Sequence, residues 1–115
     1  MSVNDQPSMP SESLLVLIAG RMRVIAEPVR MRALFLLEGK EASVQELADE
    51  LLLPHQNVSK HLNVLYQAGV VSRVRDGSCM RYTIADYTVF RVIQQAQAST
   101  TGYIEELAQL ANPEN

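Results

Sequence analysis

Apolar residues crowd the stretch 14–26, LLVLIAGRMRVIA, so densely that any helix it forms is apolar on most sides. Such a helix must be covered on several faces, by a core and by a partner chain. Glu27-Pro28 breaks it, because proline lacks the amide donor and disfavours a helical residue before it. Proline is also well placed as the first residue of a new helix. A second helix, VRMRALFLLE, therefore opens at Pro28 and is stopped by Gly39. Ser43 and Glu46 have capping-box spacing, and Val44, Leu47, Ala48, Leu51 and Leu52 then recur on one face of a third helix. After a short interruption at residues 53–55, a fourth helix spans 56–68. Val58, Leu62 and Leu65 form its inner stripe, while Gln56, Lys60, Asn63 and Gln67 form a polar stripe on another face. Gly69 ends it. Residues 70–75 and 80–84 alternate around Asp76-Gly77 as a hairpin, with a connection of four or more residues. Asp86 is placed to cap a last helix over 87–110, whose apolar positions include Val89, Phe90, Ile93, Ala96, Ile104, Leu107 and Leu110.

The pattern predicts a mainly α fold with one small β-hairpin and about five helices, a single domain over 13–111 behind a flexible polar tail at 1–12. There is no internal repeat. Of the 115 residues, 47% are hydrophobic, aromatics are few and tryptophan is absent, so aliphatic side chains must fill the core. A domain this small buries only about 60–70% of the surface its unfolded chain exposes, so association with a second copy would help it. The one cysteine, Cys79, excludes an intrachain disulfide and fits a reducing compartment. The start, MSVNDQPSMPSES, is not a secretory signal. The longest apolar run, LLVLIAG, is far below the roughly 20 residues of a membrane span. A soluble cytoplasmic protein, away from membranes, is the expectation.

Net charge is −3, which alone argues against a polyanionic partner. Its distribution changes that picture. Between residues 55 and 82 four basic side chains, Lys60, Arg73, Arg75 and Arg81, face one acid, Asp76, and the segment carries +3; the other six basic and twelve acidic residues leave −6 elsewhere. Local field, not net charge, steers a polyanion to a surface.

Helix, short turn, helix is the helix-turn-helix arrangement, whose second helix enters the major groove of DNA. Glutamine and asparagine carry donor and acceptor on one planar amide and pair with adenine's edge, and lysine reaches guanine or phosphate. A basic hairpin after them would meet the backbone. Residues 23–84 resemble the arsenic-repressor (ArsR) family of winged helix-turn-helix regulators in AEPVRMRALFLL, in VQELADELLLPHQNVSKHLNVLYQAGVV and in RVRDGSCMRYTI. The resemblance implies a homodimer built from the first and last helices that binds a pseudo-palindromic operator in double-stranded DNA and represses transcription. It places His55, Gln56, Asn57, Ser59, Lys60, His61 and Asn63 on the reading helix, Arg73, Arg75, Gly77 and Arg81 in the wing, and Arg30 near the start of the second helix as a flanking contact. His61, beside the inner stripe, is equally a half-buried side chain. Arg21, Arg23 and Arg32 are expected in surface ion pairs with Glu27 and Glu38, and Tyr82 packs the wing. Two departures touch the DNA surface: Pro54 stands where a serine cap is usual, and Ser78 where an arginine is common.

A third departure concerns metal. Family members sense metal through a C-x-C motif in the helix before the reading helix, or through Asp and His on the last helix. Here neither helix holds a cysteine or histidine, and soft-metal sites need such ligands. No metal site and no cofactor is expected, and an effector, if one acts, is an unidentified small molecule. Two alternatives stand beside the repressor: a winged-helix protein-interaction module, and a thiol-based sensor in which arginines near Cys79 activate it. An interaction face should be more aromatic and apolar than this one. An enzyme finds no support: there is no glycine-rich phosphate loop, no carboxylate pair beside a histidine, and no nucleophile with a base.

Overall fold

The computed structural model describes residues 8–112. Five helices and three strands follow in the order α1 (Glu12–Ile25), α2 (Pro28–Leu36), β1 (Ala42–Ser43), α3 (Val44–Leu51), α4 (His55–Gln67), β2 (Val71–Asp76), β3 (Cys79–Ile84) and α5 (Thr88–Ala111). The first seven residues of the expected tail lie outside the described residues. Ser11 caps α1 by accepting the Leu14 amide at 3.2 Å.

Local chemistry sets most boundaries. The Glu27 carboxylate accepts the Arg30 amide at 2.9 Å, and Pro28 stands at the first position of α2. At α3 the Ser43 hydroxyl accepts the Glu46 amide at 3.1 Å while Glu46 accepts the Ser43 amide at 2.8 Å, a complete capping box. That backbone bond, ahead of the Arg81 charge, holds the Glu46 carboxyl below its ordinary range. Gly69 closes α4 at φ +75°, where a side chain would be strained.

The sheet departs from the expected hairpin in two ways. A third strand is present: β1 pairs antiparallel with β3, Ala42 opposite Tyr82 and Ser43 opposite Arg81, giving the order β1-β3-β2. Two residues carry no alternation, so periodicity has nothing to detect there. The turn is also tighter than a loop of four or more residues. Asp76 pairs directly with Cys79, leaving only Gly77 and Ser78 between the strands. Gly77 takes φ +65° and Ser78 does not share that sign, so glycine sits at the first central position, as a type II′ turn requires.

The core draws on every element, α1 contributing only Ile25 and α5 only its first part. Leu34 and Leu37 meet Leu47, Val58, Leu62 and Leu65, with Val70, Val71 and Val89 closing the set, all fully buried. Leu52, assigned to the α3 stripe by its spacing, is instead the left-handed residue that ends the helix, with its side chain 88% exposed. Six buried stripe positions, Leu47, Ala48 and Leu51 on α3 and Val58, Leu62 and Leu65 on α4, fix which face of α4 remains outside.

Candidate nucleic-acid interface

With Val58, Leu62 and Leu65 buried, helical geometry turns Gln56, Asn57, Lys60, Asn63 and Gln67 outward, and all five are exposed. Among the described residues none of these side chains has an internal hydrogen bond or ion pair. Ser59 is half-buried and His55 is exposed at the first turn. Pro54 gives α4 no side-chain cap. The first-turn amides of His55 and Gln56 are therefore available to an oxygen from outside, and a helix N-terminus favours an anion there.

Two residues grouped with this surface point elsewhere. Arg30 sends Nε to the Val24 carbonyl at 2.5 Å and Nη2 to the Arg23 carbonyl at 3.3 Å, closing the C-terminal end of α1. Its Nη1 lies 3.1 Å from His61 Nδ1, and because arginine only donates, the ring nitrogen accepts. The Glu27 carboxylate stands 3.7 Å from the same nitrogen. Arg30, Glu27 and His61 thus form a polar knot behind the reading helix, joining it to the junction of α1 and α2.

The wing divides by face. Val71, Arg73 and Arg75 share one side with Ile84, Tyr82 and Met80, their cross-strand partners. Nearest the core, Arg73 stacks on Tyr66 of α4, its guanidinium carbon 3.9 Å from the ring centroid. Arg75, nearer the tip, is exposed and unpaired among the described residues. On the other side Arg81 reaches Glu41 at 2.8 Å and Glu46 at 3.3 Å, and the Glu41 bond chiefly keeps its charge firmer than usual. Cys79 is exposed and faces Asp76 across the strands, with Arg75 on the opposite side. Tyr82 is buried as a packing residue of the wing.

Residue spacing did not reveal the partners of the arginines. Arg21 pairs with Asp86 at 2.5 Å and donates to the Ala68 carbonyl at 2.6 Å, instead of meeting Glu27 or Glu38. Its two partners are 47 and 65 residues away, beyond any local pattern. Among the described residues no three His, Cys, Asp or Glu side chains converge as metal ligands would.

A second surface is apolar. Leu14, Val16, Leu17 and Met22 on α1, and Val92, Tyr103, Ile104, Leu107 and Leu110 on α5, are all exposed. Between the helices runs a groove of about 490 Å³ bordered by Met22, Ile25, Met31, Val92, Ile93 and Ala96. No helix among the described residues is long and apolar enough to cross a membrane.

Comparison with known proteins agrees with this geometry. Residues 25–74 match a helix-turn-helix domain family. The chain is 34% identical over 92 residues to the HTH-type transcriptional repressor SmtB of Mycobacterium tuberculosis, covering 80% of this chain and 68% of that protein. It is 44% identical over 78 residues to the transcriptional regulator Rv0081 of the same organism, covering 67% and 68%. The crystal structure of Rv0081 superposes with a TM-score of 0.73 at 34% identity, over 85% of this chain and 99% of that one. A homodimeric winged helix-turn-helix DNA-binding domain from Mycobacterium bovis, described as possibly of the ArsR family, superposes with a TM-score of 0.67 at 26% identity, over 83% and 91%.

Proposed function

The protein belongs to the ArsR/SmtB-type family of helix-turn-helix transcriptional regulators, and from that premise we propose that it acts as a homodimer repressing transcription from a pseudo-palindromic operator. The single observation that carries the reading is the outer face of α4. Gln56, Lys60 and Asn63 are exposed, and unpartnered among the described residues, on a helix whose other face is locked into the core. Polar side chains without internal partners are free to exchange water for base edges. The carboxylates nearest in sequence, Glu38, Glu41, Glu46, Asp49 and Glu50, belong to the approach to β1 and to α3, and the arginine-bearing wing adjoins the end of α4.

Arg75 meets phosphate from the wing, and the uncapped start of α4 receives a second phosphate on its amides. Arg30, His61 and Arg81 act from behind, since each is already engaged by protein groups. The apolar faces of α1 and α5 meet their copies in the second subunit, as the homodimeric neighbour from Mycobacterium bovis supports. A protein-docking role for α4 is disfavoured by the same polar stripe, because docking cores are aromatic and apolar.

The test is binding of the purified protein to the DNA upstream of its own gene over a series of salt concentrations. Affinity is expected to fall linearly on a log–log plot. Lys60→Ala weakens the preferred sequence by about tenfold and narrows its margin over random duplex. Binding indifferent to both salt and Lys60 would remove the reading.

A further inference from the structure

Arg73 sits at the seam between the reading helix and the wing. Its guanidinium carbon lies over the ring of Tyr66, near the end of α4, at 3.9 Å from the ring centroid. Directly across the hairpin stands Tyr82, which is buried. Tyr82, ahead of Tyr66, holds the positive charge of the guanidinium more firmly than usual. The cation is thus held over an aromatic ring of α4, with a buried tyrosine opposite it on the neighbouring strand.

The hairpin is fastened differently on its two sides. On the outer side β1 pairs with β3, and Arg81 bonds Glu41 and Glu46. On the inner side the Arg73–Tyr66 stack joins β2 to α4 next to the buried Val71. Beyond that stack the strands run four residues to the turn at Gly77, a lever of about 13 Å at roughly 3.3 Å per residue. A tilt of about 10° at the base moves the tip by about 2 Å and Arg75, halfway out, by about 1 Å, which lengthens its hydrogen bond to phosphate without taking its charge away from the phosphate.

We propose that Arg73 is a positioning residue that fixes the angle of the wing against the reading helix, and that Arg75, two residues further along the same face, makes the wing's phosphate contact. This assignment rests on the DNA-binding reading above. The alternation of the strand alone makes the two arginines equivalent; only their partners distinguish them.

Salt titration separates the two roles. A side chain that neutralises a phosphate contributes about 0.9 to the log–log slope, so losing it from both wings of a dimer lowers the slope by about 1.8. Arg75→Ala should show that drop. Arg73→Ala should weaken binding about fivefold with the slope unchanged. Arg73→Lys, which keeps a charge but loses the stack, should weaken binding equally. In a Tyr66→Leu background Arg73→Ala should have almost no further effect, because the ring it anchors to is gone. A slope drop for Arg73→Ala like that of Arg75→Ala, rescue by lysine, or an undiminished effect in the Tyr66→Leu protein each overturns the proposal while leaving DNA binding intact. A wild-type protein without salt-dependent attraction to duplex overturns the DNA-binding reading, and this assignment with it.

Discussion

Leu52 adopts φ 57° and ψ 44°, the left-handed conformation that glycine usually supplies at the end of a helix. A leucine there costs roughly 1–2 kcal/mol, and its exposed side chain recovers little by burial. Leu52→Gly should therefore raise stability, by about 0.5–1 kcal/mol after the extra chain entropy of glycine is subtracted. A rise of a few degrees in the thermal midpoint would register it; a lower midpoint would mean that the side chain makes a stabilising contact. Individual residues were legible in the sequence where periodicity decides orientation. The inward Val58, Leu62 and Leu65 and the outward Gln56, Lys60 and Asn63 are of this kind. Leu52 escaped because the apolar spacing runs one residue past the end of its helix. Arg21, Arg30, Arg73 and Arg81 escaped because an arginine's partner depends on which distant segment the fold brings within reach.

At the scale of elements, α2 and α1 hold the reading helix at its middle and at its C-terminal end. Arg30, closing the end of α1, touches His61 in the middle of α4, and Arg21 reaches the Ala68 carbonyl just past its last turn. Arg21 also binds Asp86, which accepts the Thr88 amide and hydroxyl at the start of α5. The Thr88 hydroxyl first, then Arg21, pulls the Asp86 carboxyl below its ordinary value of 3.8. A carboxyl with a depressed folded-state pKa stabilises fully above its unfolded value, and that contribution is lost as pH falls through the folded one. Asp86→Asn should lower the urea midpoint at neutral pH, and the two proteins should converge as the pH drops below 3.8. A constant gap down to strongly acid solution would show that the carboxylate charge is not what matters. Helices of eight residues or more were readable from caps and stripes, α3 most clearly. The two-residue β1 was not, since pairing with residues 38–40 positions away selects it; nor was the two-residue turn, whose length depends on the register of β2 against β3 and not on local propensity.

For the whole molecule, the radius of gyration is 18.1 Å, against about 13 Å for a compact domain of this length. Both α1 and the outer half of α5 stand clear of the core, the latter with Ile104, Leu107 and Leu110 exposed. An isolated arm of this kind gains stability only by burying its apolar face, and at about 25 cal/mol per Å² a second copy supplies the means. Ile104→Glu places a charge in that seam. It should yield a folded monomer by sedimentation at micromolar concentration, with operator affinity lowered at least about a hundredfold because two half-sites no longer bind as one. Such a dimer sets its two α4 helices about one helical turn of DNA apart. Hydroxyl-radical footprinting of the wild-type protein on the DNA upstream of its own gene measures that spacing directly. Two protected windows on one face of the duplex, centred roughly 34–36 Å apart, are the expected result; a single window, or no protection beyond that given by a non-binding protein, would contradict the account.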